Sequence, residues 1–146
     1  MKRFALRPAP IVVFGALLAA CATKPASPTQ FYVSRGGDHP PTNLVADAVD
    51  TRMRTQPGFV RAFDQPMQVH INDGSALPGG RYRFAVTVKV DRTISGRRLS
   101  AKDAVLAQFY VTCVPQSPSP CVEIIVARAR QQPARLARIL ARSPRA

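Results

Sequence analysis

Between Arg81 and Asp91 apolar and polar residues alternate without a break. Tyr82, Phe84, Val86, Val88 and Val90 hold one set of positions; Arg81, Arg83, Ala85, Thr87, Lys89 and Asp91 hold the other. A period of two predicts a strand with one face buried and one wet. A sheet that is wet on one side is expected to be antiparallel. Ala104 to Val114 repeats the pattern, with Val105, Ala107, Phe109, Val111 and Cys113 on one face and Gln108, Tyr110 and Thr112 on the other. Ser95-Gly96-Arg97-Arg98 supplies the turn before it. Phe31–Val33 and Met67–Ile71 are shorter strand candidates, and Asn72-Asp73-Gly74-Ser75 with Pro78-Gly79-Gly80 forms a long turn.

The period changes between Thr42 and Gln56. Val45, Ala48, Val49 and Met53 fall at helical spacing, with Thr42 as the expected cap and Pro57-Gly58 as the stop. Asp50 and Arg54 add a pair one turn apart. Ser34 to Pro41 reads as a loop. The segment after Cys121 admits two readings. Val122-Glu123-Ile124-Ile125-Val126 is rich in β-branched residues, which suits a strand. Ser119-Pro120 is a helix start, and Val122, Ile125, Val126 and Ala129 keep helical spacing. A strand paired through Cys113 and Cys121 would also turn Glu123 toward the core. The helix is the reading adopted, with Pro133 expected to break or kink it and Leu136, Ile139 and Leu140 lining its continuation. The class is α+β: a small antiparallel sheet of about three to four strands with two helices packed on one face.

Composition bears on partners more than on fold. The chain has 146 residues and a formal charge of +13, enough for one domain. Arg128, Arg130, Arg135, Arg138, Arg142 and Arg145 follow one another with no acid after Glu123. They are candidate contacts to an anionic surface, since Arg suits bidentate binding of phosphate and carboxylate. Abundant Arg and Ala with few Lys give the same charge a plainer reading, as background composition. Catalytic signatures are missing. There are 8 acids and 2 histidines, with no nucleophile elbow, phosphate loop or zinc spacing. Asp38 and His39 are sequence neighbours that point apart, His70 reads as an ordinary strand residue, and Asp73 as a turn residue. No catalytic residue, metal or cofactor is expected.

The N-terminus carries the most specific signal. Lys2, Arg3 and Arg7 precede an apolar run from Ile11 to Ala20. That run is a secretory h-region, too short to cross a bilayer, which needs about 20 apolar residues. It ends in Leu18-Ala19-Ala20-Cys21. This box resembles the bacterial lipoprotein signal. The resemblance implies cleavage before Cys21, lipidation of Cys21, and, from Ala22 at the next position, the periplasmic face of the outer membrane. Domains follow: 1–20 a signal peptide, 21–30 the lipidated Cys and a flexible linker, and 31–146 a single periplasmic domain with a basic tail. Removing three signal-peptide cations leaves 13 − 3 = +10. An exported protein meets anionic lipid or cell wall, so no nucleic-acid partner is expected. Cys113 and Cys121 remain as a disulfide candidate, favoured by an oxidising compartment; a metal pair is the alternative, without the usual ligand spacing.

The order of lipobox, Phe31-Tyr32-Val33, helix, long strand and terminal helix loosely resembles the auxiliary lipoproteins of envelope lipid-transport systems. That likeness implies a membrane-anchored, non-enzymatic binding or assembly module, with a lipid-held membrane and an envelope protein complex as partners. The alternatives are a structural lipoprotein gripping cell wall or anionic lipid through its Arg-rich end, and an envelope hydrolase with a dispersed site.

Overall fold

The computed structural model describes residues 28–62 and 66–145. The signal, Cys21 and most of the linker lie outside the described residues. The class is α+β, with two helices and a mixed sheet. The sheet is larger than the sequence suggested, with six strands rather than three to four.

β1 runs Thr29–Arg35, so the strand extends on both sides of Phe31–Val33 and takes in two linker positions. α1 spans Pro40–Arg54. β2, Phe59–Arg61, is a short strand that no alternation announced. β3 spans Met67–Ile71. β4 is the two residues Ser75–Ala76, followed by one 3-10 turn at Pro78–Gly80. β5 spans Tyr82–Lys89. β6, Thr93–Ile94, and β7, Arg97–Arg98, form a hairpin whose two turn residues, Ser95 and Gly96, have φ of 51° and 69°. Two successive positive φ values are what a tight hairpin turn requires. β8 spans Val105–Cys113 and α2 spans Ser119–Arg142.

The expected antiparallel sheet is corrected here. β1 pairs with β2 and with β3 in parallel, while β3, β5 and β8 form an antiparallel meander. The parallel half exists because α1 carries the chain from β1 to β2, the crossover that parallel neighbours need. Wetness of one face therefore does not require antiparallel strands throughout. It requires that both helices lie on the other face. Phe31, Val69, Ile71, Phe84, Val86 and Val88 are fully buried there, with Val45, Val49 and Met53 of α1 and Ile125 and Ala129 of α2. Gly74 is needed at the sheet end: a Cβ there would stand 2.7 Å from the Phe84 ring.

The alternation in β8 breaks at a bulge. Val88 faces Ala107 but Lys89 faces Val105, leaving Leu106 as the extra residue. Leu106 is fully buried and Val105 is not, the reverse of what strict alternation predicts. The last segment is a helix throughout. Pro133 lies inside it without ending it. One turn upstream, the Gln132 side-chain amide donates to the Arg128 carbonyl at 2.8 Å. A disulfide between Cys113 and Cys121 ties the end of β8 to the first turn of α2.

Candidate functional site

Among the described residues the outer face of the sheet carries no helix. Its side chains form rows that cross the strands in register. Ser34, His70, Thr87 and Gln108 make one row over β1, β3, β5 and β8. Tyr32, Gln68 and Lys89 make the next. The period-two pattern put Thr87, Lys89 and Gln108 on the wet side; Ser34 read as a loop residue, and the meeting of the row depends on strand order.

A hydrogen-bond chain runs through the first row. Gln68 Nε2 donates to Ser34 Oγ at 2.6 Å, and Ser34 Oγ lies 2.7 Å from His70 Nδ1. His70 Nε2 lies 3.1 Å from Asn72 Oδ1. The Gln68 amide nitrogen can only donate, so the Ser34 hydroxyl is free to donate to Nδ1. That leaves the proton on Nε2, donated to Asn72. Partial burial, then the nearby Lys89 ammonium, hold the His70 pKa below its ordinary 6.5, against the Asn72 bond and Asp73, which raise it. The neutral tautomer satisfies the whole chain.

A second cluster sits where β1 and β3 end and α1 begins. Asp73 Oδ1 accepts from the Thr42 hydroxyl at 3.1 Å, and Asp73 Oδ2 lies 3.2 Å from His39 Nε2. Thr42 is therefore not the cap: the cap position is His39, Pro40 and Pro41 open the helix, and Thr42 is fully buried inside it. Asp38 accepts from Asn43 at 2.8 Å rather than meeting His39. Sequence reading left His70, Asp73 and His39 as separate bland residues. The signal for grouping them was absent, because Ser34 and His70 are 36 positions apart.

Shallow hollows flank the row. One of about 300 Å³ is lined by Tyr32, Gln68, Lys89, Asp91 and Arg92; another of about 270 Å³ by Asn72, Thr87, Gln108 and Tyr110. Arg83 stands over Tyr110, its guanidinium carbon 3.9 Å from the ring centroid.

The tail arginines do not act as one patch. Arg128 stands over Phe109 at 5.6 Å, Arg130 donates to Gln56, and Arg142 pairs with Asp103 at 3.5 Å. Arg135 and Arg138 project from exposed positions of α2. Arg145 forms a β-bridge to Arg97, and Arg98 donates its backbone N–H to Pro144 at 3.1 Å. The chain end is thus strapped to the β6–β7 hairpin. A hollow of about 420 Å³ opens beside it, lined by Arg92, Arg98 and Arg142 with Asp103 as its acid.

Among the described residues no group of three His, Cys, Asp or Glu could hold a metal ion, and no helix is long and apolar enough to cross a membrane. No protein-family model matches the chain, and no curated protein matches it.

Proposed function

We propose that the chain is a lipid-anchored, periplasm-facing module of the cell envelope that binds or assembles partners rather than catalysing a reaction. The observation that carries this reading is the uncovered outer face of the sheet, joined to a chain start that resembles a lipoprotein signal. Both helices serve the opposite face, so nothing in the fold itself requires Tyr32, Gln68, Lys89, Gln108 and Tyr110 to stay in water. A tether at Cys21 holds that face near the membrane. The likeness to auxiliary lipoproteins of lipid-transport systems points the same way.

The Ser34–His70–Asn72 chain has the residue types of a hydrolase relay but not its setting. Ser34 and His70 face each other across paired strands, and the ladder consumes main-chain donors that an oxyanion would need. A binding row, in which each polar group is held at a fixed position, uses the same bonds without that requirement. The experiment is photocrosslinking in living cells from probes at Tyr32 and Gln108 of the anchored chain. Discrete partner adducts, lost when Cys21→Ser frees the protein from the membrane, are expected. Adducts that are unchanged by release, or none at either position, would sink the reading.

A second reading rests on the arginine-lined hollow at the chain end. There Arg92, Arg98 and Arg142 outnumber Asp103, a charge balance suited to phosphate of lipid head groups or carboxylate of cell wall. It makes the protein a structural lipoprotein gripping an anionic surface.

A further inference from the structure

The outermost strand of the sheet is open along its length. Among the described residues β8 pairs with β5 and with no other strand. Its nine residues, Val-Leu-Ala-Gln-Phe-Tyr-Val-Thr-Cys, include no charge, no proline and no glycine. Natural sheets blunt their edges with short strands, lysines, prolines or bulges, because a free edge recruits further strands. The opposite edge obeys that rule: β2 is three residues long, follows Pro57-Gly58 and ends in Arg61. β8 does not obey it between its bulge at Leu106 and the bridge at Cys113.

The register shows which groups are open. The Asn72 N–H donates to the Ala85 carbonyl at 2.9 Å, so odd-numbered positions of β5 bond toward β3. Even-numbered positions then bond toward β8, through the pairs Phe84–Val111, Val86–Phe109 and Val88–Ala107. The N–H and C=O groups of Gln108, Tyr110 and Thr112 point outward. Among the described residues they have no backbone partner.

Charge selects the occupant. Arg83 lies over Tyr110 on the wet face, and Arg128 over Phe109 on the helix side. Neither forms an ion pair among the described residues. Successive side chains of an added strand alternate between faces, so carboxylates on it would meet an arginine on each side. A second copy would instead bring the same arginines together edge to edge, on a chain of formal charge +13.

We infer that the edge of β8 from Ala107 to Cys113 docks an extended acidic segment of an envelope partner by strand addition. This rests on the reading of the protein as a binding module and names its docking surface. The test uses the full chain in detergent and two synthetic peptides, acetyl-Thr-Val-Glu-Glu-Val-Thr-Val-amide, whose adjacent glutamates fall on opposite faces of a strand, and its counterpart with Lys for Glu. Hydrogen exchange of the Gln108, Tyr110 and Thr112 amides is followed. The Glu peptide should slow all three at least about tenfold, and the Lys peptide should not. Gln108→Pro removes one outward N–H without touching the β5 ladder. It should keep the far-ultraviolet spectrum of the parent and abolish the protection. Arg83→Gln with Arg128→Gln should weaken the Glu peptide about three- to tenfold. Equal protection by both peptides, or by neither, overturns the inference. So does protection without peptide that grows with protein concentration, which would mean a second copy occupies the edge. Crosslinks in cells from Tyr32 but not from Gln108 would spare the binding-module reading while removing this one.

Discussion

Asp73 shows how one side chain can join two elements. Its carboxylate takes a hydrogen bond from Thr42, which is fully buried in α1, and a contact from His39 at the helix start. A buried hydroxyl that loses its partner costs more than the bond itself gains. Asp73→Ala should therefore destabilise the fold by about 1–3 kcal/mol. Thr42→Val, which removes the hydroxyl but keeps the shape, should cost less. Urea unfolding of the two variants measures the difference, and equal costs would show that leaving the Thr42 hydroxyl without its partner adds no penalty beyond the lost bond. His70 gives a prediction in pH. Burial and Lys89 hold its folded pKa below 6.5, so the unfolded chain binds the proton more readily. Stability from this group is complete above about pH 6.5 and is lost as pH falls through the folded value. Imidazole resonances should titrate below 6.5, and His70→Gln should flatten the acid side of the stability profile. A titration at or above 6.5 would refute the environment described for His70.

At the scale of elements, α2 carries two devices of opposite sign. The disulfide closes a short loop of Val114 to Pro120 between β8 and α2. A non-reduced peptide map should show Cys113 and Cys121 cross-linked, and two thiols that alkylate without reductant would refute the bridge. In the chain-entropy account a loop this short is worth roughly 2–3 kcal/mol, so Cys113→Ser with Cys121→Ser should lower stability by that amount. Pro133 acts the other way. It removes one helical hydrogen bond inside a 24-residue helix. Pro133→Ala should stabilise the protein, by up to about 3 kcal/mol, seen as a rise in Tm. A fall in Tm would mean that the Pro133 ring itself is needed where Gln132 and Ile139 pack. α2 was legible as a helix from Val122, Ile125, Val126 and Ala129, all of them buried. β2 was not legible: Phe59–Arg61 has one buried residue and no period to read. The bulge at Leu106 was equally hidden, since a single extra residue is visible only against its partner strand.

At the scale of the whole molecule, the proposed anchor and the charge can be tested separately. If Cys21 carries the lipid, mass spectrometry of the mature chain should begin at Cys21 with added acyl mass; a different start without lipid removes the anchor. The arginine-lined hollow predicts how the released protein meets a surface. The Cys21→Ser chain should bind vesicles containing anionic lipid more than neutral ones. Binding should fall as salt rises past about 0.15 M, where the Debye length is about 8 Å. Arg98→Gln with Arg142→Gln should reduce it further, whereas Arg135→Gln with Arg138→Gln, an equal loss of charge, should reduce it less, since those side chains lie outside that hollow. Equal losses would mean that net charge alone, not the pinned chain end, sets the attraction.

The sequence by itself determined the features that repeat over short range. Period two in Tyr82–Lys89 and helical spacing in Val45–Met53 needed no partner, because each reflects one element meeting one boundary between oil and water. The wet face of the sheet followed from the same alternation. Tertiary structure alone decided which strands became neighbours, and in which direction. Ser34 meets His70, Thr42 meets Asp73, and Arg97 meets Arg145 across separations of 36, 31 and 48 positions. No local period encodes such a meeting. It arises from how α1 crosses from β1 to β2 and how α2 folds back on β8. The polar row, the open edge and the strapped chain end exist only once those long-range pairings bring distant side chains within bonding distance.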